Sequence, residues 1–327
     1  MLIRRTTKIF LEFLAGLVAG SVILLIVGAW WLWSGSIPLT FLTPYIEDAL
    51  SPADSAIAVE IEETQLQWAG WQRAVNLRAS EVRVLDSERR VIAELPEVSL
   101  GLSLRAMFRA KIAPTYFEIV RPSISVVRNQ DGAFAIGFAK SVEAQDGKPG
   151  VENLVLERLI TELLSEPDRS RPLGYLRRVA IIEADLFLDD RQLRQIWHAS
   201  RADLAFERNV VGITASADVD LELDGQQSRV TGNASYETET GVIDTTFGFR
   251  ELDPAPFLRR LIHPVARSFA EVGLQLDGSL GFRMESDGAV KTVRFDLVDG
   301  AAAARGEMAI GDDGYGISAS IEFEGLS

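Results

Sequence analysis

Few side chains in this sequence could do chemistry. There is no cysteine, which excludes disulfide scaffolds, thiolate zinc sites, iron–sulfur clusters and thiol nucleophiles. The 2 histidines, His198 and His263, are too few for a multi-histidine metal site. His198 follows Trp197 in a strand-like stretch and His263 precedes Pro264. Neither has a nucleophile at catalytic spacing, so both read as structural or surface groups. Asp189-Asp190 and Asp312-Asp313 offer the oxygen ligands calcium takes, but acidic pairs at turns read as solvated. Arg177-Arg178 and Arg259-Arg260 could meet a phosphate headgroup or form a wet flank. No Walker-type phosphate loop and no Rossmann glycine fingerprint occurs. These residues imply no cofactor, no metal and no enzymatic site.

Composition points the same way. Hydrophobic residues make up 47% of the 327 and charged residues 24%, so the chain has the apolar mass to bury a core. The net charge of −14 argues against nucleic acid, whose phosphates need a basic face.

Phe13 to Trp33 is uncharged, and its 21 residues would make a helix of about 31 Å, the thickness of a bilayer core. Arg4, Arg5 and Lys8 precede it, and Trp30, Trp31 and Trp33 close it, as headgroup-level indoles do. A signal peptide would have a shorter apolar run and a small-x-small cleavage site. Arg4-Arg5 lacks the context of a twin-arginine signal. The expectation is an uncleaved anchor with its N-terminus in the cytoplasm of a bacterium and the bulk of the chain in the periplasm. The acidic remainder would meet anionic lipid through apolar side chains, not charge.

Beyond a short amphipathic stretch (Leu39 to Leu50) the hydrophobic period becomes 2. Ile57, Val59 and Ile61 alternate with polar residues, as do Val98, Leu100, Leu102 and Leu104, and Ala184, Leu186 and Leu188. The longest run is Val211, Ile213, Ala215, Ala217, Val219, Leu221 and Leu223. Phe247 and Phe249, then Ile317, Ile321 and Phe323, continue the pattern. Alternation of this kind describes half-buried strands of an antiparallel sheet with one wet face. Asp-Gly turn signals at 131, 224, 277, 287, 299 and 313 separate the runs. Roughly 15 strands result, mostly joined as a meander.

Val151 to Ser165 and Pro254 to Val272 read as two short amphipathic helices, the second broken near Pro264. The expected division is an anchor (1–35), a first β unit (36–145) and a second (146–327). Tyr116 to Phe138 and Leu176 to Ala199 share an order of strand, polar break, strand, acidic turn and aromatic strand. They are either an internal repeat or two hairpins alike as hairpins are.

The stretch from Ile119 to Phe134, IVRPSISVVRNQDGAF, is similar to a strand–Pro–strand–Arg–x–x–Asp-Gly–aromatic signature, with Pro122, Arg128, Asp131, Gly132 and Phe134 in those places. Leu173 to Phe206 resembles the block that follows it. On these motifs and the order of features, the chain resembles the AsmA-like family, and within it the YhdP-like branch. Members of that branch are usually longer, so this chain would be a fragment or a short member. The resemblance implies an inner-membrane-anchored, bridge-like lipid-transfer protein that supports outer-membrane homeostasis. Its phospholipid tails would slide along an apolar groove in a curved β-sheet while headgroups stay in water.

A long sheet with one apolar face can pack as a sandwich, close as a barrel or curl into an open trough. Alternation alone does not choose, but open sheets beyond about ten strands curl or split, and the monotony of one-sided strands favours the trough. The alternating apolar residues named above would then line the groove. The other reading is an assembly or scaffold protein that engages outer-membrane or envelope proteins through strand edges.

Overall fold

A computed structural model describes residues 16, 18–23, 37–41, 43–44, 47, 57–67, 75–86, 88–107, 109, 113–137, 165, 167–168, 170, 172–192, 195–223, 225–255, 274–285, 289–300, 302–310 and 317–324. The two expected amphipathic helices, apart from Ser165 of the first and Pro254 and Ala255 of the second, and most of the expected anchor lie outside these residues. No helix among the described residues is long and apolar enough to cross a membrane.

The protein is mainly β. The strands are β1 (Ile37–Pro38), β2 (Ile57–Gln67), β3 (Val75–Asp86), β4 (Val91–Leu102), β5 (Pro114–Val120), β6 (Ser123–Arg128), β7 (Phe134–Gly137), β8 (Arg178–Asp190) and β9 (Gln195–Arg208). They continue as β10 (Gly212–Leu223), β11 (Gln226–Glu237), β12 (Val242–Leu252), β13 (Leu276–Glu285), β14 (Val290–Asp299), β15 (Ala302–Ile310) and β16 (Ile317–Glu324). All 16 described strands belong to one sheet, ordered β1-β2-β3-β4-β5-β8 and then consecutively to β16, with β6 beside β8 and β7 beside β6. Neither end of that order pairs with the other, so the sheet is not closed. Strands on both sides of residue 145 share it.

The sheet is mixed rather than antiparallel throughout. β8 runs parallel to β5 along its first half and parallel to β6 along its second. Parallel neighbours need a long crossover, and the chain between β6 and β8 provides it. The pairing holds one offset of 62 residues from Tyr116↔Arg178 to Arg128↔Asp190. The two similar sequence stretches therefore lie side by side and in step.

A row of irregularities crosses five strands at one level. The ladders skip Glu62, Glu81 and Pro96, and the next positions along the row are Arg121 and Glu183. Glu81, Arg121 and Glu183 have positive φ (50°, 54° and 54°), which side chains other than glycine seldom adopt. The register is the same on both sides of the row, so each strand leaves one matched position unpaired, and that position flips which parity faces the core. Thus Val59 and Ile61 share a face with Thr64 and Leu66, not with Glu63.

Three sequence expectations need correction. β4 ends at Leu102, and Leu104 instead opens the one-turn helix α1 (Leu104–Met107), because the Ser103 hydroxyl accepts the Ala106 N–H at 3.2 Å and caps it. Val211 precedes β10 and is 57% exposed, in a turn where its carbonyl accepts the Thr238 N–H. Asp277-Gly278 lies inside β13, where a Cβ on Gly278 would sit 2.0 Å from the Asp296 carbonyl oxygen, so the glycine serves close strand approach rather than a turn. By contrast, Gly225, at φ 81°, lies in the tight link between the paired residues Leu223 and Gln226.

Candidate functional site

The sheet's side chains divide into two chemically distinct faces. One row of directly paired residues runs Leu66, Leu77, Leu100, Phe117, Val179, Phe206 and Ala215 from β2 to β10. It continues as Ala234, Thr245, Phe282, Val293, Met308 and Ala319 to β16. Thr245 is its single polar position. The adjoining row on the same face starts at Thr64, Ala79, Val98, Ile119, Ile181 and Leu204. It goes on through Ala217, Gly232, Phe247, Leu280, Phe295, Gly306 and Ile321. Neither row contains a charge.

Burial on this face grades along the sheet. Ala93, Ala184 and Ala202 are at most 1% exposed, and with Ile119, Ile124 and Ile181 they form a tight floor. Among the described apolar residues, every buried one except Ala255 lies between Ile61 and Ala202. Beyond β9 the described side chains of the same rows are half-buried, except that Phe247 is 42% exposed, its ring edge-on to Phe282 at 6.2 Å. Extended contacts among the described elements run only between strands paired in the sheet and from β5 to the turn at Pro172–Tyr175. Of the described residues, Thr43 lies over Thr64 and donates to its hydroxyl at 3.0 Å, and Leu176 packs on Phe117, Val179 and Phe206; beyond β9 no described element has extended contacts across the apolar face.

The opposite face carries ion pairs between neighbouring strands. Arg78 meets Glu97 at 3.0 Å, and Arg178 lies between Glu118, at 3.1 Å, and Glu207. Arg229 Nε donates to Asp218 at 2.8 Å, Arg283 meets Asp244 at 2.9 Å, and Arg305 meets Asp296 at 3.1 Å. The hydrogen bonds from Arg229 and Arg283 hold the Asp218 and Asp244 carboxyls below the usual carboxylate range, against a smaller desolvation effect. Individually such exposed pairs contribute little, but together they make this the wet side.

Most of the sequence-expected lining residues with described side chains fall on the apolar face. Ile61 is buried, and Val59, Leu100, Leu102, Leu186, Leu188, Ile213, Val219, Leu221 and Phe249 are half-buried. Ile57, Leu223, Ile317, Ile321 and Phe323 occupy strand positions, but their side chains lie outside the described residues. Leu104 and Val211 leave the set for the reasons given above. Of the signature positions, Pro122 is fully buried beside the Arg121 kink. Asp131 and Gly132 form the β6–β7 turn, where Asp131 accepts the Ala133 N–H at 2.9 Å and Gly132 takes φ 89°. Phe134 opens β7 opposite Arg128.

The remaining candidate groups are placed as follows. His198 lies on the wet face, 2.7 Å from Asp185 and stacked on Phe187 at 4.4 Å. Asp189 and Asp190, adjacent in β8, point to opposite faces, so they do not converge on a cation. Asp189 pairs with Arg191, whereas Asp190 is buried on the apolar side and pairs with Arg128. Sequence reading did not place that charged pair there. The signal available was the row Ile124-Val126-Arg128 beside Leu186-Leu188-Asp190, which becomes visible only once the two strands are paired.

No protein-family profile matches the chain, and no curated protein or solved structure matches it either.

Proposed function

We propose that this protein is a lipid carrier whose sheet forms an open apolar trough, holding the acyl chains of phospholipid and letting them slide between two membranes. The observation that carries the reading is the pair of uncharged rows, unbroken from β2 to β16, which beyond β9 no described element covers. The path holds fourteen strands, so the rows extend roughly 60 Å at the usual spacing of neighbouring strands. Apolar burial gives about 0.8 kcal/mol per CH₂. Rows without charge give that energy at nearly every position alike, so a chain is held yet meets few steps as it moves. The row of unpaired positions supports a trough, since its left-handed residues Glu81, Arg121 and Glu183 break the straight run of their strands at one level. Nothing in the reading calls for bond-making, and the protein acts as a carrier rather than a catalyst.

The same proposal anchors the chain in a bacterial inner membrane through residues 13–33, with the sheet in the periplasm and the outer membrane as the other terminus. In support, residues 18–23 are helical and expose Val18, Val22 and Ile23. The family resemblance carries the identity of the two membranes.

The test is photo-crosslinking in cells. A crosslinker at Ile213 or Phe247 is expected to capture phospholipid, and one at Asp244 or Arg294, on the wet face, is not. Capture of polypeptide alone from Ile213 and Phe247 would overturn the proposal, and capture of envelope proteins from strand edges would favour an assembly role.

A further inference from the structure

At its β2 end the apolar face is crossed by the chain that follows the expected anchor, and polar contacts tie it there. β1 pairs with β2 only at Ile37↔Leu66 and Pro38↔Gln65, and the Leu39 amide then donates to the Thr64 carbonyl at 2.7 Å. Helical Thr43 lies over Thr64 and donates its hydroxyl to the Thr64 hydroxyl at 3.0 Å. Half-buried Glu47 accepts the Ile61 amide at 2.6 Å through Oε1. Thr43 is 8% exposed and Thr64 is 0% exposed. Thr64 is also the one polar side chain in its row. A valine of the same shape would pack at that position without needing a partner, whereas a buried hydroxyl needs one. Packing alone therefore does not account for two facing hydroxyls at the head of an apolar row.

We propose that Thr43 and Glu47 form a latch that closes the β2 end of the apolar face, so that an acyl chain enters there only when the latch lifts. This rests on the trough reading and adds a gate to it. Thr43 occupies the place that a chain arriving from the anchored end must cross, above Thr64 and at the start of the row that runs on through Ala79, Val98 and Ile119. The bonds that hold it suit a gate. A hydrogen bond within the protein is exchanged for bonds to water at small net cost, whereas exposing packed apolar surface is opposed in proportion to its area. A latch made of the Thr43–Thr64 and Glu47–Ile61 bonds therefore opens more readily than a hydrophobic plug would, and each bond weights the closed state by a modest factor.

The chain has no cysteine, so a staple can be placed without background. Hydroxyl oxygens 3.0 Å apart bring the two threonine side chains within disulfide reach. The full-length chain carrying Thr43→Cys with Thr64→Cys, and a photo-crosslinker at Ile213, is reconstituted in vesicles of phosphatidylethanolamine and phosphatidylglycerol. Lipid capture is then compared in the oxidised and reduced states. Oxidation is expected to lower capture by about tenfold or more, and dithiothreitol to restore it. Equal capture in the two states would overturn the latch, leave the trough standing and make the contact a simple cover for the β2 edge. If the staple does not form, Thr43→Val decides, since it keeps the shape and removes the donor. Capture about fivefold faster than in the wild type supports the latch, and an unchanged rate overturns it. No capture by any form, Thr43→Val included, would sink the trough reading itself.

Discussion

The backbone amide of Glu183 donates a hydrogen bond to Asp203 Oδ1 at 2.7 Å, across the boundary between β8 and β9. Glu183 has φ 54°. Glu251, also at φ 54°, repeats the arrangement in β12, where its amide donates to Asp277 Oδ1 at 2.8 Å. In both places a left-handed residue interrupts the ladder, and a carboxylate on the next strand takes the N–H the ladder would have used. The bend is thereby kept without an orphaned donor.

Removing the acceptor should weaken the bend. Asp203→Ala is expected to lower stability by about 1 kcal/mol, the net value of one hydrogen bond. Asp203→Asn, which keeps an acceptor oxygen, should cost less. Glu183→Gly relieves a left-handed cost of about 1–2 kcal/mol, set against glycine's greater backbone freedom, and should be neutral or stabilising. Urea denaturation midpoints of the three variants check these signs.

Leu221 and Asp220 are neighbours on opposite faces of β10. Leu221→Asp places a charge on the half-buried apolar side, where an uncompensated polar group costs roughly 1–3 kcal/mol or more. Asp220→Leu alters the wet side, where Arg229 stands 4.0 Å away, and should change stability by less than about 0.5 kcal/mol. Lipid capture from Ile213 should fall in the first variant and persist in the second. Equal effects on capture would refute the facing assignment.

Gly101 lies beneath the Tyr116 ring, where a Cβ would fall 1.7 Å from Cε1. Gly101→Ala must push aside a ring that is only 4% exposed, and overpacking of that kind costs about 1–3 kcal/mol. Adding Tyr116→Ala removes the clash, so the two changes should combine non-additively in a double-mutant cycle. Additive losses in thermal melts would count against the contact.

Stability should decline on the acid side. Asp218 and Asp244 have carboxyls lowered by their arginine partners. A lowered folded value means that the contribution is present above the unfolded value, near pH 4, and is lost as pH falls through the folded one. Both groups are more than a third exposed, so the effect is modest. Urea midpoints of wild type and of Arg229→Met with Arg283→Met should differ most above pH 4 and converge towards pH 2.

How much of this was legible in sequence depends on where the ladder is regular. From Ile213 to Leu221 no bulge changes the facing parity, and strict alternation named the face correctly. Across β2 to β8 the row of unpaired positions shifts parity within each strand, so Thr64 joins the apolar side although its neighbours suggest otherwise. The parallel pairing was hidden because its partners lie 62 residues apart and parallel neighbours carry no turn signal. For the same reason Arg128 and Asp190 read as separate polar residues until pairing brought them to one rim. Leu104 was misread because a serine cap outweighed a single further step of alternation.

The constant offset between the two matched stretches has a consequence for growth of the scaffold. Because both copies kink at the same level, a further copy laid alongside would inherit the same cross-section and simply extend its reach. Length and cross-section are thus set by different features, the number of strands and the position of the crease. Evolution could lengthen such a sheet by duplication without redesigning its profile.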